Sequence, residues 1–215
     1  MVLTIELFGI PVYFETWGIL IGLLVAAYIL YQIGKQVRAN CRKEEYGRKF
    51  LLISVLIFLT IIFSILVHET AHALVSRFFG IKIIEAGFIG IGAYVRSAVS
   101  VSTLPFYVEM LVAFAGPASN LVLAAAATIA AFYLSKSFGK GAFMYISDTN
   151  YMLAKLNLIP FFLFDGGRVL HGFFRIFVAD INFAWDLVLY SFVIYLGLRL
   201  FWVKYKSNEK TVQDL

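Results

Sequence analysis

The sequence predicts an all-α integral membrane protein, a bundle of about five transmembrane helices with a small β-hairpin or sheet element between the second and third spans. Three observations lead there. Of 215 residues, 61% are hydrophobic and only 14% charged, and the mean hydropathy is +0.87, far from the balance of a water-soluble domain. Apolar stretches of spanning length recur along nearly the whole chain, leaving no segment that would fold separately in water. Between them, residues 81–103 replace the helical pattern with glycines among Ile, Phe, Tyr and Val, a strand signature. A single integral domain over 1–215 is expected, with no separate soluble domain.

The elements follow in order. Met1 to Phe14 alternates partly and carries Gly9 and Pro11, which suits a short strand or an interfacial segment. Its first charged residue is Glu6, and no Lys or Arg precedes the first apolar span, so that span is read as retained and not as a cleaved signal. The first span covers about Trp17 to Ile33 and is just long enough to cross. A basic loop, Lys35 to Lys49, follows. The second span starts at Phe50 and continues to Phe79, where Gly80 is a suitable helix stop. A third span runs from about Phe106 to Leu134, a fourth apolar segment from about Ala142 to Ile159, and a fifth span from Phe183 to Val203. Pro160 ends the fourth, and Val169 to Val178 is read as a short or re-entrant helix.

Charge and cysteine content narrow the function classes. The formal charge of +5 and pI near 9.3 arise from basic residues beside apolar spans, not from a polar, aromatic-interleaved surface, so nucleic acid is excluded as a partner. The basic loop is a topology signal or a contact for anionic lipid heads. With Cys41 the one cysteine, neither an intrachain disulfide nor a cysteine-based metal site can form.

The chemistry is concentrated in His68-Glu69-Thr70-Ala71-His72. Histidines at i and i+4 share one helix face, about one turn apart, where both imidazoles can bind one metal ion. The pattern suits a single Zn2+, with Glu69 close enough to act on a water as general base. Polar side chains flanked by Phe50 to Val67 and by Leu74 to Phe79 lie at membrane depth, where ionisable groups mark function by default. Catalytic zinc takes a third protein ligand. Asp165, after the Pro160 break and before Gly166-Gly167, is a candidate, and from the residues alone it is equally well a turn residue. Asn120 reads as a helix-packing residue, and His171 as a residue near the centre or at the interface, with a ligand role as the alternative.

The helix-borne H-E-x-x-H, the run Gly116-Pro117-Ala118-Ser119-Asn120, the late Asn157-Leu158-Ile159-Pro160 followed by Asp165-Gly166-Gly167, and the opening Phe8-Gly9-Ile10-Pro11 together resemble the site-2 protease family of intramembrane metalloproteases. The resemblance spans roughly residues 5–175, with a catalytic core at about 50–175, and its late paired motif is more specific than H-E-x-x-H alone. It implies zinc held by His68, His72 and Asp165, Glu69 as base, and Asn157 near the centre as a substrate or transition-state contact. Where family members often carry prolines, this chain has Phe161-Phe162-Leu163-Phe164. The expected function is a zinc-dependent multi-pass intramembrane endopeptidase cutting in or near transmembrane segments. The alternative is a non-catalytic scaffold or a metal transporter retaining the site.

Expected partners are transmembrane protein substrates, membrane lipids and further copies of the chain. The segment Glu85 to Arg96, with Gly90 and Gly92, is expected to offer a strand edge that captures an unwound substrate by β-augmentation. Charge bias places the loop Lys35 to Lys49, with six Lys/Arg, in the cytoplasm, whereas the resemblance implies the reverse orientation.

Overall fold

The computed structural model describes residues 2–7, 10–40, 42–89, 92–134 and 138–213. Four strands and six α-helices follow one another as β1 (Val2–Leu7), β2 (Ile10–Glu15), α1 (Thr16–Asn40), α2 (Tyr46–Phe78), β3 (Ile83–Ile89), β4 (Gly92–Ser97), α3 (Phe106–Tyr133), α4 (Phe138–Asn157), α5 (Asp165–Phe174) and α6 (Ile181–Gln213). Phe8 and Gly9 of the opening motif, Cys41 and Gly90 lie outside the described residues. Among the described residues, four segments are long and apolar enough to cross a membrane: Leu20–Ala39, Lys43–Phe78, Phe106–Tyr133 and Ile181–Val203. The fourth apolar stretch forms α4, which is not among them; Lys140, Asp148, Asn150 and Lys155 lower its apolar character.

The chain packs as two compact units, 1–100 with 115–155, and 101–114 with 156–215. In the first, the sheet has the order β1-β2-β3-β4. The hairpin expected from residues 81–103 is present as antiparallel β3 and β4. It is enlarged by the N-terminal hairpin, whose β2 runs parallel to β3 through Val12↔Ala86 and Phe14↔Phe88. This pairing satisfies one backbone edge of β3 that a lone hairpin would leave open. Gly87 lies opposite Tyr94, and a Cβ there would come 2.5 Å from the Tyr94 ring, so the glycine lets the ring lie flat across the sheet. Tyr94 reaches Glu85 Oε1 at 3.4 Å, which Arg96 also meets at 3.1 Å; burial first, and then the Glu85 carboxylate, raise the Tyr94 phenol above its ordinary range.

Helix α2 ends at Phe78, and Gly80 takes φ +73° to turn the chain into β3. Along α2 the buried residues are Ser54, Thr60, Ser64, His68 and Ser76, while Leu51, Leu59, Phe63, Leu66 and Leu74 face outward. A helix with its polar side chains inward and its apolar ones outward suits a lipid surrounding, where burying the apolar face gains nothing.

In the second unit α5 begins at Asp165, four residues before the expected Val169. Gly166 and Gly167, expected to precede the helix, lie in its first turn. A Cβ on Gly166 would lie 2.3 Å from Leu158 O, and one on Gly167 2.2 Å from Phe161 O, so only glycine lets this turn seat directly on the preceding backbone. The Phe161 to Phe164 segment is a hydrogen-bonded turn, with Phe164 N donating to Phe161 O at 2.9 Å. Phe161 packs on Phe192 of α6 at 4.5 Å between ring centroids, an aromatic anchor in place of the prolines.

His171 and Glu109 are fully buried here. His171 Nδ1 lies 2.8 Å from Glu109 Oε1 and Nε2 lies 3.2 Å from Ile181 O, while its ring stacks on Trp185. Arg175 donates to Ser102 O, Leu104 O and Glu109 Oε2. Both ring nitrogens of His171 meet acceptors, so the residue serves as a clamp between α3, α5 and α6, and its alternative reading as a metal ligand has no nitrogen left to supply it.

Candidate metal centre

In the first unit, α2 carries the i, i+4 pair and α3 lies against it. His68 Nε2 and His72 Nε2 are 3.1 Å apart, close to the roughly 3.3 Å separating two nitrogens on one tetrahedral zinc at bond lengths of about 2.0–2.1 Å. His68 is buried, and Glu69 and His72 are half-buried. Opposite the two nitrogens stands Gly116, where a Cβ would come 2.3 Å from His72 Nε2 and 2.5 Å from His68 Nε2. A methyl group there would fill the space toward which both imidazoles point, so the donor set and its cradle fit a metal ion. Pro117 lies inside α3, and Ser119 Oγ donates to Gly116 O at 2.7 Å, tying down the backbone around the break in the helix ladder.

Behind the pair, His68 Nδ1 meets Asn120 Oδ1 at 2.6 Å. Asn120 Nδ2 donates to Asn150 Oδ1 at 2.8 Å, and both asparagines are fully buried. Asn120 packs between helices as expected, joining α3 to α2 and α4, and its side chain also supports a candidate ligand. Asn120 was visible in the sequence one helical turn after Gly116. Asn150 was not singled out, although a buried amide in an apolar helix needs a partner. One and two turns before His68, Ser64 and Thr60 border an apolar cavity of about 570 Å³ lined also by Leu59, Phe63, Leu123 and Phe143.

Asp165 and Asn157 belong to the second unit. Asp165 is half-buried in the first turn of α5, where unpaired helix N–H groups favour a carboxylate. Asn157 is the last residue of α4 and also half-buried. Gly92 opens β4, which is an edge strand.

Two converging histidines on an outwardly apolar helix, beside a small sheet, define a candidate metal centre in a helical fold of membrane type. The model of peptidase family M50 matches residues 56–148, a stretch that contains His68, His72, Gly116 and Asn120. A zinc metalloprotease of Methanocaldococcus jannaschii is 28% identical over 117 residues, covering 54% of this chain and 33% of that protein. A Synechocystis protein named as a candidate zinc metalloprotease is 31% identical over 167 residues, covering 77% of this chain and 42% of that protein. The chain thus spans about a third to two fifths of the length of these relatives. Among solved structures, the site-2 protease of Methanocaldococcus jannaschii shares the fold with a TM-score of 0.57 at 23% identity, over 81% of this chain and 72% of that one. Over residues 56–148 the chain is thus similar to peptidase family M50.

Proposed function

We propose that the chain is a zinc-dependent, multi-pass intramembrane endopeptidase that cuts peptide bonds in or near transmembrane segments. The observation that carries this reading is the convergence of His68 Nε2 and His72 Nε2 on the space left by Gly116, on a helix whose outward face is apolar. The names of the relatives support zinc as the metal. His68 and His72 would hold one Zn2+ with Asp165 as third ligand. Two neutral imidazoles and one carboxylate leave one net positive charge to polarise a carbonyl and keep a coordination position open.

When bound, zinc supplies Lewis-acid polarisation and an activated nucleophile at neutral pH. Glu69 takes the proton of the attacking water and returns it to the leaving amine. Asn157 hydrogen-bonds the substrate backbone or the developing oxyanion. The apolar cavity bordered by Thr60 and Ser64 suits the side chains of a transmembrane substrate. A helical substrate hides its peptide bonds, and an edge strand offers unwound backbone a hydrogen-bonding template.

Cleavage of a reconstituted transmembrane substrate tests the activity. It is expected to stop on zinc removal and to resume on zinc return; activity untouched by chelation overturns the reading. The strand role has its own test. Single cysteines at Ala93 and Val95 of β4, in a Cys41→Ser background, should cross-link to a cysteine placed near the scissile bond, whereas a cysteine at Thr4 of β1 should not. Equal cross-linking from both edges rejects β4 as the docking strand.

A further inference from the structure

The buried amide pair behind His68 has a direction, and the direction is set at its far end. Asn150 Nδ2 lies 2.9 Å from the carbonyl oxygen of Ile146, one turn back on the same helix. A backbone carbonyl only accepts, so the Asn150 amide must turn its NH2 toward Ile146 and its Oδ1 toward Asn120. Asn150 Oδ1 likewise only accepts, so Asn120 must present Nδ2 to it, across 2.8 Å, and Oδ1 to His68. Asn120 Oδ1 stands 2.6 Å from His68 Nδ1, and this contact requires the hydrogen to be on Nδ1. Reversing any single amide would set two acceptors or two donors face to face between fully buried side chains.

We infer that Asn150 is a positioning residue that acts through Asn120 to fix the proton of His68 on Nδ1 and so keeps the Nε2 lone pair available to a metal ion. Asn120 alone does not suffice. Without Asn150 its amide can rotate by half a turn, offer Nδ2 to an unprotonated Nδ1, and leave the proton on Nε2, where it blocks coordination. The relay thus converts the fixed polarity of one helix carbonyl into the tautomer of a residue on another helix. Its metal half rests on the zinc reading above; its tautomer half does not.

The test uses the full chain in lipid with 15N-labelled histidine, freed of zinc and held at about pH 8, above the ordinary titration range of histidine. The chain has three histidines, and the ring 15N shifts report which nitrogen carries hydrogen. Wild type is expected to show His68 protonated at Nδ1 and bare at Nε2. Asn150→Leu is expected to show a mixture and to bind zinc about ten- to a hundredfold more weakly in chelator competition. His171, clamped by Glu109, reports the folding of the second unit, and helix content and cooperative thermal unfolding report that of the whole variant.

A wild-type His68 protonated at Nε2 overturns the inference without any variant. So does a folded Asn150→Leu with wild-type tautomer and zinc affinity. If the chain bound no zinc, the proposed function would fail while the wild-type tautomer still decided the relay. Zinc binding indifferent to Asn150 would sink the relay and leave the function standing.

Discussion

Glu69→Gln is expected to keep its zinc and to lose cleavage by about two to four orders of magnitude, the usual contribution of a positioned general base. Glutamine preserves the shape of the side chain and its ability to accept a hydrogen bond, and it removes only the capacity to take a proton. The residue follows His68 directly on α2 and is half-buried, so the change leaves Gly116, Asn120 and both imidazoles in place. Metal content by elemental analysis and turnover of a transmembrane substrate check the two halves. Cleavage retained in the variant would move the base elsewhere, and zinc lost with it would give Glu69 a role in holding the metal.

The second large effect is expected from Gly116→Ala, the smallest substitution available. Its methyl would sit 2.3 Å and 2.5 Å from the two Nε2 atoms, well inside contact distance, and these are the atoms that face the ion. The imidazoles must swing aside, and overpacking of this kind costs about 1–3 kcal/mol, or roughly five- to more than a hundredfold in affinity. We expect zinc binding to fall to that extent, measured by chelator competition. Undiminished zinc binding would place the ion away from the two Nε2 atoms.

Much of this was legible in the sequence because it depends on local patterns. The length of α2, the stop at Gly80 and the shared face of His68 and His72 follow from helix periodicity and from what glycine permits. The strands of residues 83–97 follow from composition. What depends on distant pairing was not legible: nothing in Val2–Leu7 or Ile10–Glu15 says that β2 will join β3 in parallel. Asp165 was visible as a carboxylate beside glycines, but the reason for the glycines was not. They admit the backbone of Leu158 and Phe161 against the first turn of α5, which lets the helix start at Asp165 and not at Val169. Asn150 and Glu109 carry no motif. Their meaning lies in partners 30 and 62 residues away, which only the folded chain brings together.

The central claim is that His68, His72 and Asp165 hold one catalytic zinc. The most direct measurement is zinc per purified chain, taken together with cleavage, for wild type, His72→Ala and Asp165→Asn. The account predicts one zinc and activity in wild type, and loss of both in His72→Ala. In Asp165→Asn it predicts weakened zinc binding with cleavage lost. A zinc-free, inactive wild type, or an Asp165→Asn that binds zinc and cleaves as wild type does, would contradict it.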